Sequence, residues 1–206
     1  MAFVYHRATL APEKPELLRA WVPGRPWAVG AGTLTPLGAY RFDDPEGEVG
    51  LEAFLLGTDE GTVLHVPLTY RAAALVDAEA HLVGTTEHSE LGTRWVYDGC
   101  ADPVWASALA RAALTGGTQA ALEFEEDGRR QLREPRTTVA GSGDPSSDAP
   151  HIVSVRVEDR DDLTVVHAGG CEVVVVRRVG TEIDADETLS GHWPGGNGVL
   201  AGVRRS

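Results

Sequence analysis

Lysine is nearly missing from this 206-residue chain. Of its eighteen basic residues only Lys14 is lysine, and the rest are arginine. The skew matches the codon usage of a GC-rich genome, as do the many Ala, Gly and Val. It also excludes chemistry that needs an ammonium late in the chain. A phosphate-cradling loop ending in Gly-Lys is absent, and no lysine stands where a kinase N-lobe strand would hold nucleotide phosphates.

A basic surplus is missing as well, since the formal net charge is −13. Binding nucleic acid requires cations that replace phosphate counterions, so that partner class is excluded. An anionic membrane surface is disfavoured by the same sign argument, and the acidic balance is read as serving solubility. No apolar run reaches the roughly 20 residues needed to cross a bilayer. The opening MAFVYHR lacks the basic-then-apolar layout of a secretory signal, so the expected location is cytoplasmic. Cys100 and Cys171 are the only cysteines and show no metal-ligand spacing, which reads as a reduced pair.

What is present is a succession of short strands. Val49–Leu56 and Thr62–Tyr70 flank a Gly57–Gly61 turn. In the second strand Leu64, Val66, Leu68 and Tyr70 alternate with Val63, His65, Pro67 and Thr69. Pro67 has no N–H for a ladder, which predicts an edge position. Pro15–Trp21 reads as a short helix ended by Pro23-Gly24. A strand over Arg94–Tyr97 precedes a helix opened by Asp102 and Pro103, with Trp105, Ala108, Leu109 and Ala112 at helical spacing and Gly116-Gly117 ending it. A hairpin follows, with Leu122 and Phe124 alternating against Glu123 and Glu125 and a tight turn at Asp127-Gly128. Strands are then predicted over Ile152–Val157, Leu163–Val166, Glu172–Val179 and Val199–Val203.

The stretch TTVAGSGDPSSDAPH (137–151) is poor in large apolar groups and reads as a flexible linker or loop over 137–150. It separates residues 1–136 from a β-rich segment, 151–206, that is short for an independent core. The expected class is α+β: mainly antiparallel sheet with one or two helices.

Catalytic constellations are scarce. None of the seven His residues has Asp two positions later, as a kinase catalytic loop requires, and no Asp-Phe-Gly is present. The only string near a serine-hydrolase elbow, Gly141-Ser142-Gly143, lies in the predicted linker, without a rigid base beside it. His65, His81 and His88 lack zinc-ligand spacing. Carboxylate pairs drawn from Glu87, Glu90, Asp98 and Asp102 are no rarer than 31 acidic residues make them. No catalytic residue, metal or cofactor is therefore assigned.

The densest chemistry is HSELGTRWVYDGCADPVW (88–105). His88, Arg94, Trp95, Tyr97, Asp98 and Trp105 are the candidate contacts for a ligand or partner, because aromatic faces stack on sugars while Arg and Asp bond hydroxyls. The competing reading buries Trp95, Tyr97 and Trp105 as core. This string, with TPLGAYRFDDPEGEVGLEAFLL (35–56), VLHVPLTYRAAAL (63–75) and HWPG near the end, resembles the N-terminal cap region of actinobacterial maltokinases. It is more closely similar to stand-alone maltokinase N-terminal cap-like proteins, some loosely labelled as α-glucan branching proteins. Maltokinase makes maltose 1-phosphate for α-glucan synthesis from trehalose, with catalysis in a large C-terminal lobe. The resemblance therefore implies a cap, followed at 151–206 by a relic of the kinase intermediate lobe. In that relic Val173–Arg178 matches the nucleotide-lobe strand, with Val174 in the place of its lysine. The expectation is a non-catalytic cap-like module that binds a protein partner or a maltose-type glycan in trehalose, maltose and α-glucan metabolism. The alternatives are a glucan-active enzyme and a subunit that completes a split kinase in trans.

Overall fold

The computed structural model describes residues 9–126 and 129–205. In chain order the elements are β1 (Leu10–Ala11), α1 (Lys14–Trp21), β2 (Thr35–Phe42), β3 (Gly50–Gly57), β4 (Val63–Arg71), β5 (Leu82–His88), β6 (Gly92–Asp98) and α2 (Pro103–Leu114). There follow β7 (Leu122–Glu126), β8 (Arg129–Arg133), β9 (Thr138–Gly141), β10 (Val155–Arg160), β11 (Leu163–Ala168), β12 (Cys171–Val176), β13 (Glu187–Trp193) and β14 (Gly196–Arg205). They build two six-stranded sheets, ordered β1-β5-β6-β4-β3-β2 and β10-β11-β12-β14-β13-β9, and the separate hairpin β7-β8. Among the described residues every strand pairing is antiparallel and the two α-helices lie outside the ladders, so the class is α+β. The turn expected at Asp127-Gly128 lies outside the described residues.

The first sheet is covered on both faces. On its outer face α1 begins at a capping box, in which the Glu13 N–H donates to the Glu16 carboxylate at 2.9 Å. The helix buries Leu17, Leu18 and Trp21 against Leu64, Val66 and Leu68 of β4 and Val96 of β6. On the inner face Tyr40, Phe42, Leu51, Ala53 and Leu55 meet α2.

Helix α2 keeps only a narrow outer stripe, on which Arg111 is exposed and Val104, Ser107 and Ala108 are half-buried. Trp105, Ala106, Leu109, Ala110, Ala112, Ala113 and Leu114 are all buried, and their cluster continues into Val173, Val175, Leu189, Leu200 and Val203 of the second sheet. Such a helix must be sandwiched, and here two sheets enclose it. Its close fit depends on glycine. A Cβ on Gly141 would sit 1.9 Å from the Ala112 carbonyl oxygen, and one on Gly143 would sit 2.0 Å from that of Leu114. The gain from this approach is hydrogen bonding: the Gly143 N–H donates to Ala113 O at 2.9 Å, giving a partner to a carbonyl that the helix end leaves free.

Pro67, expected at an edge, lies in β4 between β3 and β6. Two residues earlier the His65 N–H points away from β3, donating to Arg177 O, and by strand alternation the Pro67 nitrogen faces the same way. The β4–β6 ladder starts only at Leu68↔Asp98, so no ladder bond is lost at Pro67. The stretch expected as a linker contributes β9, which pairs with β13 and buries Thr137 and Val139. Strand β10 begins at Val155 rather than at residue 152. The predicted strand over 172–179 stops at Val176, and Arg177–Val179 cross over to β4 through the bridge Leu64↔Arg178. A second tie joins Ala120 N–H to Arg41 O at 2.7 Å, and Thr118 bridges Ala140. The two sheets are thus connected by backbone bonds at two places.

Candidate functional site

The six residues singled out from the sequence divide into a surface set and an interior set. His88 closes β5, and its Nδ1 accepts the N–H groups of Glu90 and Leu91 at 3.2 Å, fixing the β5–β6 turn. Arg94 donates to Leu91 O across the same turn at 2.7 Å, and Trp95 is half-buried on β6. Tyr97 is buried, with its hydroxyl accepting the Leu75 N–H at 3.0 Å. Trp105 is also buried, its ring 5.6 Å from that of Phe42 and 6.2 Å from that of Tyr40. Asp98 is buried and accepts the Cys100 N–H at 3.1 Å. The structure does not bring the six together on one surface.

Asp98 instead belongs to a polar junction that sequence reasoning missed. Its partner is Arg177, whose side chain is fully enclosed and which reaches Asp98 across 79 positions of sequence. The same guanidinium donates from Nε to the Thr164 hydroxyl at 2.7 Å and lies 4.7 Å from the centre of the Trp27 ring. The Thr164 hydroxyl donates in turn to Asp159 at 2.6 Å. A buried charge survives only when paired and hydrogen-bonded, and this one draws its partners from both sheets. The available signal was a charged residue directly after four consecutive valines.

The second buried pair is His65 with Tyr40, joined Nε2 to Oη at 2.9 Å. Burial, reinforced by the positive charge of Arg177, lowers the His65 pKa to about 3, so the imidazole is neutral. Burial likewise pushes the Cys100 thiol well above its ordinary value, leaving no thiolate for nucleophilic chemistry. Cys100 and Cys171 are both free and buried. Among the described residues no group of three or more His, Cys, Asp or Glu could hold a metal ion.

A concavity lies elsewhere. A cleft of about 1030 Å³ runs between the β3–β4 turn with the start of β2 and the tip of the β13–β14 hairpin. Thr35, Thr62, Thr188 and Asn197 supply neutral polar groups to its walls, and Leu37, Val63, Ile183 and Val199 supply apolar ones. Glycine shapes the hairpin tip. A Cβ on Gly196 would sit 3.1 Å from the Trp193 ring, and one on Gly198 would sit 2.5 Å from Val179. A second concavity of about 610 Å³ shares Asn197, Gly198 and Val199 and adds Gln119, Ser190 and His192.

This is a two-sheet α+β protein with a polar ion-pair junction at its centre and, among the described residues, a cleft without a cationic lining beside the last hairpin and no assembled catalytic constellation. Residues 21–102 match the maltokinase N-terminal cap domain family. The match runs from the last residue of α1 through β2–β6 to Asp102, the N-cap of α2. No curated protein matches the chain. Among the described residues no helix is long and apolar enough to cross a membrane.

Proposed function

We propose that the protein is a non-catalytic, glycan-binding module of α-glucan metabolism. The observation that carries this reading is the state of β12 beside a cap-like domain. Val174, in the place of the resembled lysine, is buried between Val165 and Gly202, so the position has neither the ammonium nor the access that a nucleotide phosphate requires. The two arginines that follow are engaged. Arg177 is tied to Asp98, and Arg178 pairs with Asp162 at 3.5 Å and donates to Thr62 and to Val29 O at 3.3 Å. A cap without a phosphate grip is suited to holding a sugar rather than transferring to it.

Two measurements on the pure chain test this. Incubation with ATP, magnesium and maltose is expected to show no maltose-dependent ATP consumption, whereas saturable consumption would overturn the non-catalytic half of the proposal. Calorimetric titration with neutral maltodextrins is expected to show saturable heat. Failure of every neutral glycan to bind would overturn the other half.

A further inference from the structure

We infer that the cleft between the β3–β4 turn and the β13–β14 hairpin is the binding site for a neutral oligosaccharide of two or more rings. The inference rests on the glycan-binding reading and adds where the ligand sits and what charge it carries.

Charge comes first. Among the described residues Glu182 is the one ionisable side chain lining the cleft, and no cation lines it. A phosphorylated sugar or a nucleotide would lose hydration there without gaining an ion pair, a penalty that a neutral ligand avoids. The polar groups that are present form and accept hydrogen bonds without charge. The side chains of Thr35, Thr188 and Asn197 hold none of the side-chain hydrogen bonds found among the described residues, so their polar atoms face water in the free protein. Sugar hydroxyls, which donate and accept, satisfy such groups in both senses.

The apolar lining fits the same chemistry. Leu37, Val63 and Val199 line the cleft together with these polar groups, and a pyranose likewise offers both C–H faces and hydroxyls. Size then selects the length of the ligand. At about 1030 Å³ the cleft stands at the top of the range of roughly 300–1,000 Å³ for small-molecule sites, which leaves one ring loosely held. One wall of the cleft is packed from within. Trp193 is buried beneath the hairpin, and Gly196 packs against its ring, so the wall bearing Asn197 is set before any ligand arrives.

The experiment is calorimetric titration of the whole chain with maltotriose, cellotriose and glucose 1-phosphate, repeated on Thr35→Trp and Asn197→Ala. Both positions are exposed, and thermal unfolding of each variant checks that the fold is retained. A neutral trisaccharide is expected to bind, the choice between the two reporting linkage, while glucose 1-phosphate does not. Thr35→Trp fills the cleft and is expected to abolish binding. Asn197→Ala is expected to weaken it about tenfold, the equivalent of ~1.4 kcal/mol. If a trisaccharide binds the parent protein and both folded variants equally, glycan binding stands and this site is wrong. Tighter binding of the phosphorylated sugar overturns the charge argument. If neither trisaccharide binds the parent protein, the glycan-binding reading itself falls, and this inference with it.

Discussion

His65 occupies the middle of a strand in which Leu64, Val66 and Leu68 are also buried, and its neutral ring is held by the Tyr40 hydroxyl. That arrangement ties stability to pH. In the unfolded chain a histidine takes up a proton near pH 6.5, whereas in the fold burial and Arg177 hold the pKa near 3. Because the depressed group favours the fold only while neutral, its contribution is complete above about pH 6.5. It is lost progressively as pH falls towards 3, with roughly 2 kcal/mol gone by about pH 5. His65→Gln keeps a partner for Tyr40 and removes the titration, so urea unfolding between about pH 4 and 7 is expected to lose most of its pH slope. An unchanged slope would show that other groups set it. The residue-level content of the candidate site was only half legible. Asp98 stood out by its chemistry, but nothing local reveals that its partner is Arg177, because a contact across 79 positions leaves no periodic trace.

At the scale of elements, β6 and α2 were readable because local chemistry decides them. Asp102 accepts the Val104 N–H at 3.0 Å as N-cap and takes a bidentate pair from Arg71 at 2.7 Å on both oxygens. Elements that owe their existence to pairing were not readable. β2 contains Pro36 and Gly38 with a register shift between them, and β13 turns Gly191 towards the core because Leu200 fills the space a side chain would need. Pro67 misled for the same reason, since a ladder that begins one residue later removes the cost of its missing N–H. The periodicity of α2 showed one apolar face, and alanines at 106, 110 and 113 concealed the other. The seam between α2 and β9 gives the sharpest test at this scale. Gly141→Ala is expected to cost about 3 kcal/mol or more in chemical denaturation, because its Cβ meets backbone that cannot yield. Gly169→Ala, with no neighbour within 4 Å, is expected to stay within about 0.5 kcal/mol of the parent protein. Equal effects would mean that the seam is looser than described.

At the scale of the molecule, one cluster of apolar side chains passes from the first sheet through α2 into the second, and backbone bonds tie the sheets at Leu64↔Arg178 and through residues 118–120. Thermal unfolding is therefore expected to be one transition, coincident by near- and far-ultraviolet circular dichroism. Arg177→Met leaves Asp98 buried and unpaired, and is expected to lower that transition by about 3–5 kcal/mol without splitting it. Two separated transitions would show that the sheets fold independently. The enclosure of α2 also bears on how the protein is made. Its second apolar face is covered by β9, β13 and β14, which begin at residue 138 and end at 205, about twenty-five to ninety residues after the helix has been synthesised. At ribosomal rates of about 5–20 residues per second, a nascent chain carries that face uncovered for several seconds. The feature that makes the finished molecule a single body thus makes its unfinished form a client for whatever shields apolar helices during translation.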